Sequence, residues 1–226
     1  MILIKRLFNF VSSIIDGMEF NDKQIQIIDT AERLFAERGF DGTSVRDIAD
    51  EAGINIAMIS YYFGSKEKLM EALFELRVGS VKMRIESLIK DESMGPVEKV
   101  NMLIDEHIER VMLKPCFQKV MQGVLVTNKN PAILKAANNV KLRSIAVVAE
   151  LIKDGQKKGI FKKKVDVVLM LNTMVGTASQ SLMSLQYYRE FNNQQNLPDE
   201  EFHHIFKRRL SIHIKTLFKV ILTNEA

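Results

Sequence analysis

Three short apolar stripes, each followed by a glycine, lie within residues 22–64 and restrict this part of the chain to a small bundle of helices. In each stripe the apolar residues recur at intervals of three and four, which is the spacing of one helix face. The first stripe ends at residues 39–42, the second at Gly53 and the third at Gly64. Glycine commonly follows a helix because it adopts backbone angles that other residues avoid. The pattern therefore predicts three short helices.

The second and third predicted helices are separated only by a two-residue link that begins with Gly53. Two short helices joined by a tight glycine turn form a helix-turn-helix, here at about residues 44–63. The turn needs a residue with positive φ, which glycine accepts without a Cβ clash. Ser44, with Asp47 three residues later, has the pattern of a capping box for the second helix, and Asn55 is a cap for the third.

The rest of the chain is also predicted to be helical. Four prolines and 11 glycines are few for 226 residues, and no stretch shows the convincing alternation of a strand. The sequence predicts an all-α fold with an N-terminal three-helix helix-turn-helix domain at residues 18–68 and a larger helical domain at residues 69–226. The expected long helices are 66–90, 97–112, 115–127, 132–158, 166–191 and 198–222.

Residues 1–17 have two interpretations. Lys5 and Arg6 precede a short apolar stretch, but no cleavage site of a signal peptide follows. The segment is either an additional amphipathic arm or lies upstream of a true start at Met18. No apolar run reaches the roughly 18 residues of a membrane span, and the single cysteine, Cys116, fits a reducing compartment. We therefore expect a cytoplasmic protein without membrane contact.

Two stretches carry a family resemblance. The run GFDGTSVRDIADEAGI at residues 39–54 and the run YYFGSKEKL at residues 61–69 closely resemble the DNA-binding segment of the tetracycline-repressor (TetR-type) family of transcriptional regulators. The resemblance covers about residues 22–69. It implies a regulator, most often a repressor, that binds a double-stranded DNA operator as a homodimer and is released by a small-molecule effector.

The third helix is then the recognition helix, whose N-terminal residues face base edges in the major groove. Thr43 and Ser44 lie at a helix N-terminus, which favours phosphate, although both are also candidates for simple caps. Lys66 resembles the family's phosphate-binding lysine, and Tyr62 is either a DNA contact or a core residue with a hydrated hydroxyl. The expected DNA-binding residues are Thr43, Ser44, Arg46, Asn55, Ile56, Ala57, Met58, Ser60, Tyr61, Tyr62 and Lys66.

The charge of this region is opposite to that of a broad basic surface. Residues 19–68 contain six Lys or Arg and ten Asp or Glu, which gives a net charge of −4, whereas the whole chain carries +4. Binding would depend on a few placed cations and on helix N-termini. We therefore expect a modest salt dependence, with a slope of about −0.9 for each phosphate neutralised.

The resemblance implies that the larger domain binds an effector and forms the dimer. The predicted helices 166–191 and 198–222 are the expected interface between subunits, because small residues such as Gly176 allow close approach; the alternative is that they pack inside one subunit. Methionines suit an adaptable apolar pocket, although they are also common in plain cores. The expected pocket residues are Met102, His107, Met112, Phe117, Met121, Met174 and Thr177.

No enzyme motif supports a catalytic function. The chain has no glycine-rich nucleotide loop, no nucleophile elbow and no zinc-protease motif, and the histidine spacing does not suit a metal site. We expect no catalytic residue, cofactor or metal. The alternative function is a helical small-molecule-binding or interaction protein that does not bind an operator.

Overall fold

A computed structural model describes residues 20–127 and 129–224, so the expectations for residues 1–17 lie outside it. The described residues contain helices and no strand, which confirms the all-α prediction. None of these helices is long and apolar enough to cross a membrane. The helices are α1 (Asp22–Arg38), α2 (Val45–Ala52), α3 (Ile56–Phe63), α4 (Lys66–Lys90), α5 (Pro96–Leu113), α6 (Pro115–Thr127), α7 (Pro131–Lys157), α8 (Val167–Met183), α9 (Leu185–Phe191) and α10 (Asp199–Leu222).

The prediction of one helix over residues 166–191 is wrong, because α8 and α9 are separated at Ser184. The Ser184 hydroxyl donates to the Gln180 carbonyl oxygen at 2.9 Å, and its backbone N–H donates to the same oxygen at 3.1 Å. A serine hydroxyl that bonds to the preceding turn competes with the helical ladder and bends the helix. The apolar periodicity continues through the break and does not reveal it.

The chain divides into two compact units. The first contains residues 20–84 and 116–144 of the described chain. Its core joins α1 to α4 with α6 and the first part of α7, and the Phe74 and Phe117 rings lie 6.4 Å apart within it. Phe40, Ile48 and Ile59 are buried in this core, and Val45 packs partly buried against it. The functional division at residues 68 and 69 stays a prediction.

The second unit contains residues 85–115 and 145–224 of the described chain. Its longest apolar stripe is on α10, where every fourth residue from Phe202 to Leu222 is buried. Asp105 of α5 accepts hydrogen bonds from Ser211 and Lys215 of α10, each at 2.5 Å. These contacts fix α10 against α5.

Candidate nucleic-acid interface

The helix-turn-helix is held by contacts between α1 and α2. The amide of Gln26 donates to the Ala52 carbonyl oxygen at 2.9 Å, at the end of α2. Arg33 pairs with Glu51 at 2.6 Å. Ile48 is fully buried beneath these polar contacts. Together they fix the direction of α2 and therefore the position of the turn that follows it.

The turn between α2 and α3 has the predicted geometry. Gly53 has φ 63° and ψ 40°, the left-handed conformation, and its N–H donates to the Ala49 and Asp50 carbonyl oxygens. The predicted positive φ at this glycine is confirmed. Asn55 then begins α3, and its side-chain oxygen accepts from the Ala57 N–H at 2.8 Å. The cap occupies the Asn55 side chain in the free protein.

The start of α2 is a complete capping box. The Ser44 hydroxyl accepts from the Asp47 N–H at 3.1 Å, and the Asp47 carboxylate accepts from the Ser44 N–H at 2.7 Å. The Ser44 hydroxyl also donates to that carboxylate at 2.6 Å. These hydrogen bonds lower the pKa of Asp47. Ser44 is exposed beside this cap, and so is Arg46 in the first turn.

Helix α3 presents a compact exposed face. Ile56 is 44 % exposed and Tyr61 83 % exposed, and Ala57 and Ser60 are exposed between them. Ile59 is only 1 % exposed and anchors the helix in the core. The exposed face is therefore narrow and largely apolar, with hydroxyl groups at Ser60 and Tyr61 as its hydrogen-bonding groups.

Met58 and Tyr62 lie at the sides of this face and are half-buried. The Tyr62 ring meets the Tyr61 ring edge-on, with centroids 5.1 Å apart, and also packs against the core of the first unit. This packing agrees with the interpretation of Tyr62 as a core residue, and its contact with DNA stays a prediction. Its ring supports the exposed Tyr61 whether or not its hydroxyl contacts DNA.

The expectation of a DNA contact from the Thr43 side chain needs correction, because this side chain is fully buried. Its hydroxyl donates to the Gly39 carbonyl oxygen at 2.8 Å and lies 3.3 Å from that of Leu34. Buried hydroxyls need such partners, because an unpaired one carries a desolvation cost. Thr43 therefore holds the corner between α1 and α2.

Lys66 also has internal partners. Its ammonium donates to the carbonyl oxygens of Phe40 and Thr43 at 2.9 and 2.8 Å, and lies 4.1 Å from the centre of the Phe40 ring. Two of its three N–H groups are thereby occupied. Lys66 thus connects the start of α4 to the corner between α1 and α2, and its contact with phosphate stays a prediction.

Sequence reasoning missed a second connection between α4 and the helix-turn-helix. Arg77 of α4 pairs with Glu32 at 2.6 Å and with Asp29, both on α1. Burial lowers the pKa of Arg77, but the two carboxylates outweigh it and the pKa is raised overall. Arg77 lies 45 residues after Glu32 and 48 residues after Asp29 in the chain, so no local pattern could have indicated these pairs.

The predicted pocket residues are divided between the two units. Phe117 and Met121 belong to the core of the first unit. The remaining five lie in the second unit, where Met174 is buried and the His107 Nε2 is buried without a hydrogen-bond partner among the described residues. These five residues are Met102, His107, Met112, Met174 and Thr177. Whether any of the seven contacts an effector stays a prediction.

The first unit contains an open cleft of about 970 Å³ that the sequence did not predict. It lies between the start of α4 and the first half of α7, and Phe20, Tyr62 and Phe63 also line it. Two cations at this cleft are paired, Lys68 with Glu71 at 2.7 Å and Arg143 with Glu75. The cleft contacts the end of the recognition helix but contains none of the predicted pocket residues.

Comparisons with known proteins agree with this geometry. Residues 27–73 match the family described as "Bacterial regulatory proteins, tetR family", and residues 74–192 match "YsiA-like protein, C-terminal region". The fatty acid metabolism regulator protein of Bacillus subtilis is 27 % identical over 160 residues, which are 71 % of this chain and 81 % of that protein. The transcriptional repressor KstR2 of Mycobacterium tuberculosis is 25 % identical over 178 residues, 76 % of this chain and 84 % of the repressor.

A solved structure shares the fold. The crystal structure of the regulator FadR of Bacillus subtilis in complex with stearoyl-CoA superposes on this chain with a TM-score of 0.66 at 24 % sequence identity. The superposition covers 85 % of this chain and 96 % of the FadR chain. The match at residues 74–192 spans more than half of the chain, and the helix-turn-helix has the expected turn and caps. The chain belongs to the TetR family of bacterial transcriptional regulators.

Proposed function

We propose that this regulator is a repressor that binds a pseudo-palindromic operator as a homodimer and is released by a small, largely apolar effector. The observation that carries the proposal is the exposed face of α3, held by a capped turn on a rigid core. Residues 18–68 act as the DNA-binding domain and residues 69–226 as the effector and dimer domain. The protein acts by binding alone, in the cytoplasm, where its operator lies.

The proposed contacts with DNA fall into two groups. Ser44 and Arg46 at the start of α2 bind phosphate, because a helix N-terminus and a guanidinium both favour it. The residues of α3 face the major groove, where apolar side chains contact thymine methyl groups and hydroxyls bond to base edges or phosphate. Thr43 and Lys66 position the corner between α1 and α2. The α3 group is Asn55, Ile56, Ala57, Met58, Ser60, Tyr61 and Tyr62.

Exposed apolar residues on α8 and α10 support a dimer through these helices. On α8, Leu169 is 63 % exposed and Val175 is 40 % exposed. On α10, Ile212 is 54 % exposed and Val220 is 51 % exposed. Ile212 and Val220 are eight residues apart and so share one helix face. Gly176 is exposed beside Val175 and permits close approach. A second subunit would cover these residues from water.

The dimer has a direct test. Val175→Glu places a charge on the proposed interface, and light scattering is expected to report a monomer with weakened operator binding. Leu142→Glu is the matched control, because Leu142 is 63 % exposed on α7 in the first unit. A Val175→Glu protein that remains dimeric would contradict an interface on α8.

The proposed effector is a long-chain acyl compound. Two observations support this class: the relative from Bacillus subtilis is a fatty acid metabolism regulator, and the FadR structure contains stearoyl-CoA. The methionines of α5 and α8 suit a flexible acyl chain. The effector must bind two shapes of the dimer with different affinity to release DNA.

The structure supports α4 as the element that transmits this change. Its first half is tied to the helix-turn-helix through Lys66 and Arg77, and the same helix continues to Lys90 in the second unit. A shift of α4 would therefore move α1 and the corner before α2. The change in spacing between two recognition helices would lower operator affinity.

Selection of random DNA by the purified full-length protein tests operator binding. A recovered pseudo-palindrome, with half-sites about one helical turn apart or a few base pairs more, is the expected result. Arg46→Ala should weaken binding to it, while Lys153→Ala, which removes an exposed cation of the second unit, should not. If delipidated protein enriches no sequence, the operator-binding function is refuted.

A further inference from the structure

One buried polar atom of α5 has no hydrogen-bond partner among the described residues, and a half-buried cation lies one turn away on the same helix. The Nε2 atom of His107 is buried, and no described residue bonds to it. Arg110 is half-buried, and no oxygen of the described chain accepts a hydrogen bond from its guanidinium. Burial lowers the pKa of both side chains, although Glu106, one turn before Arg110, partly offsets this for the guanidinium. A buried atom without a partner, such as the His107 Nε2, is rare unless something outside the protein satisfies it.

Arg110 is an exception among the cations of this protein. In the described chain, every other lysine or arginine that is buried or half-buried donates to an oxygen of the chain. Lys99 of α5, for example, is almost fully buried and donates to the Ile89 carbonyl oxygen at 3.0 Å. The other cations with internal acceptors are Lys66, Arg77, Lys162, Arg189, Lys207 and Lys215.

His107 and Arg110 lie on the same flank of α5, because residues three apart on a helix are neighbours. At 100° per residue, this flank also carries Lys99, which points to the end of α4. Asp105 lies on the other side and faces α10. The two unpartnered groups therefore lie together on the side of α5 nearer to α4 than to α10. Leu103, half-buried one turn before His107, adds apolar surface to this flank.

We propose that Arg110 and His107 form the polar end of a site for a ligand with an apolar chain and an anionic headgroup, either a carboxylate or a phosphate. The guanidinium fork matches both groups with two parallel hydrogen bonds. The neutral imidazole supplies one more donor or acceptor at Nε2. The inference rests on the proposed function, since this ligand would be the effector.

Binding of four probes to delipidated full-length protein tests the site: oleate, stearoyl-CoA, coenzyme A alone, and uncharged oleyl alcohol. We expect oleate or stearoyl-CoA to bind at least tenfold more tightly than oleyl alcohol. A preference for oleate identifies a carboxylate, and a preference for stearoyl-CoA with measurable binding of coenzyme A identifies a phosphate. Arg110→Met should weaken binding of the preferred probe at least tenfold, and Arg110→Lys should weaken it less. Lys153→Met should leave binding unchanged.

A second measurement does not depend on the probe. Without ligand, Arg110→Met should raise the melting temperature, because it removes a charge that has no internal partner; Lys153→Met should leave it unchanged. Any of three results would overturn the inference. Arg110→Met could lower the melting temperature, Arg110→Met could leave probe binding unaltered, or the wild-type protein could bind neither anionic probe. Operator selection uses ligand-free wild-type protein, so its result separates a failure of the proposed function from a failure of this site.

Discussion

The role of Lys66 can be tested by a substitution that separates a structural connection from a phosphate contact. Lys66→Met keeps the aliphatic stem and removes the ammonium that bonds to the Phe40 and Thr43 carbonyl oxygens. Each hydrogen bond contributes about 1 kcal/mol after allowance for partial exposure, and the cation–π contact about 0.5 kcal/mol. We therefore expect the free energy of unfolding to fall by about 2.5 kcal/mol.

Urea denaturation followed by circular dichroism measures this loss, and the midpoint should fall without a change in slope. Operator affinity is then measured at several salt concentrations under conditions where both proteins are folded. A structural connection predicts weaker binding with an unchanged salt slope, because no phosphate contact is lost. Lys66→Arg, which keeps the charge and the donors, should recover most of the stability.

The opposite result would refute the reasoning. A phosphate-binding Lys66 predicts that Lys66→Met leaves the free energy of unfolding unchanged and reduces the magnitude of the salt slope by about 0.9. That pattern would mean that the two carbonyl contacts contribute nothing to the stability of the free protein and that the ammonium binds a phosphate in the complex. The stability and salt measurements therefore distinguish the two roles independently.

Two further predictions concern the second unit and the fold as a whole. A Cβ at Gly155 would overlap the Phe161 ring, so Gly155→Ala should lower the free energy of unfolding by about 1–3 kcal/mol. Gly123 has open space around it, so Gly123→Ala should be neutral or slightly stabilising. Urea denaturation measures both changes. Burial lowers the pKa of His107 to about 4 in the folded protein. As the pH falls below about 6.5, the unfolded chain therefore binds the proton before the folded protein does. The free energy of unfolding should decrease by about 3 kcal/mol between about pH 6.5 and pH 4. His107→Gln should remove that part of the pH dependence, and His213→Gln, at an exposed histidine, should keep it.

The sequence was sufficient to predict the features that depend on neighbouring residues. The capping box at Ser44, the positive φ at Gly53 and the cap at Asn55 each involve atoms within a few residues of one another. The apolar spacing also placed helix α3, whose outer face is exposed. These local rules were enough for the all-α fold and for the geometry of the helix-turn-helix.

Contacts between distant segments could not be predicted in the same way. Thr43 was expected to face DNA because it precedes a helix, but tertiary packing buries its side chain. Lys66 finds its carbonyl acceptors 23 and 26 residues earlier, and Arg77 finds its carboxylates even further away. The break at Ser184 depends on a single hydroxyl that turns back on its own helix. In each case the deciding partner is one among many equivalent groups in the sequence.

The same limit applies to the charge of the DNA-binding region. The net charge of −4 counts residues 19–68, but Arg77 lies outside that range and pairs with two of the counted carboxylates, Asp29 and Glu32, so that it offsets one negative charge. Asp47 is committed to the cap at Ser44. The acidic side chains of this region are therefore partly occupied within the fold, and their number overstates the repulsion that a phosphate backbone would meet. We therefore propose that a few exposed groups at the start of α2 and on α3 bind the operator, with the shallow salt slope expected of few phosphate contacts.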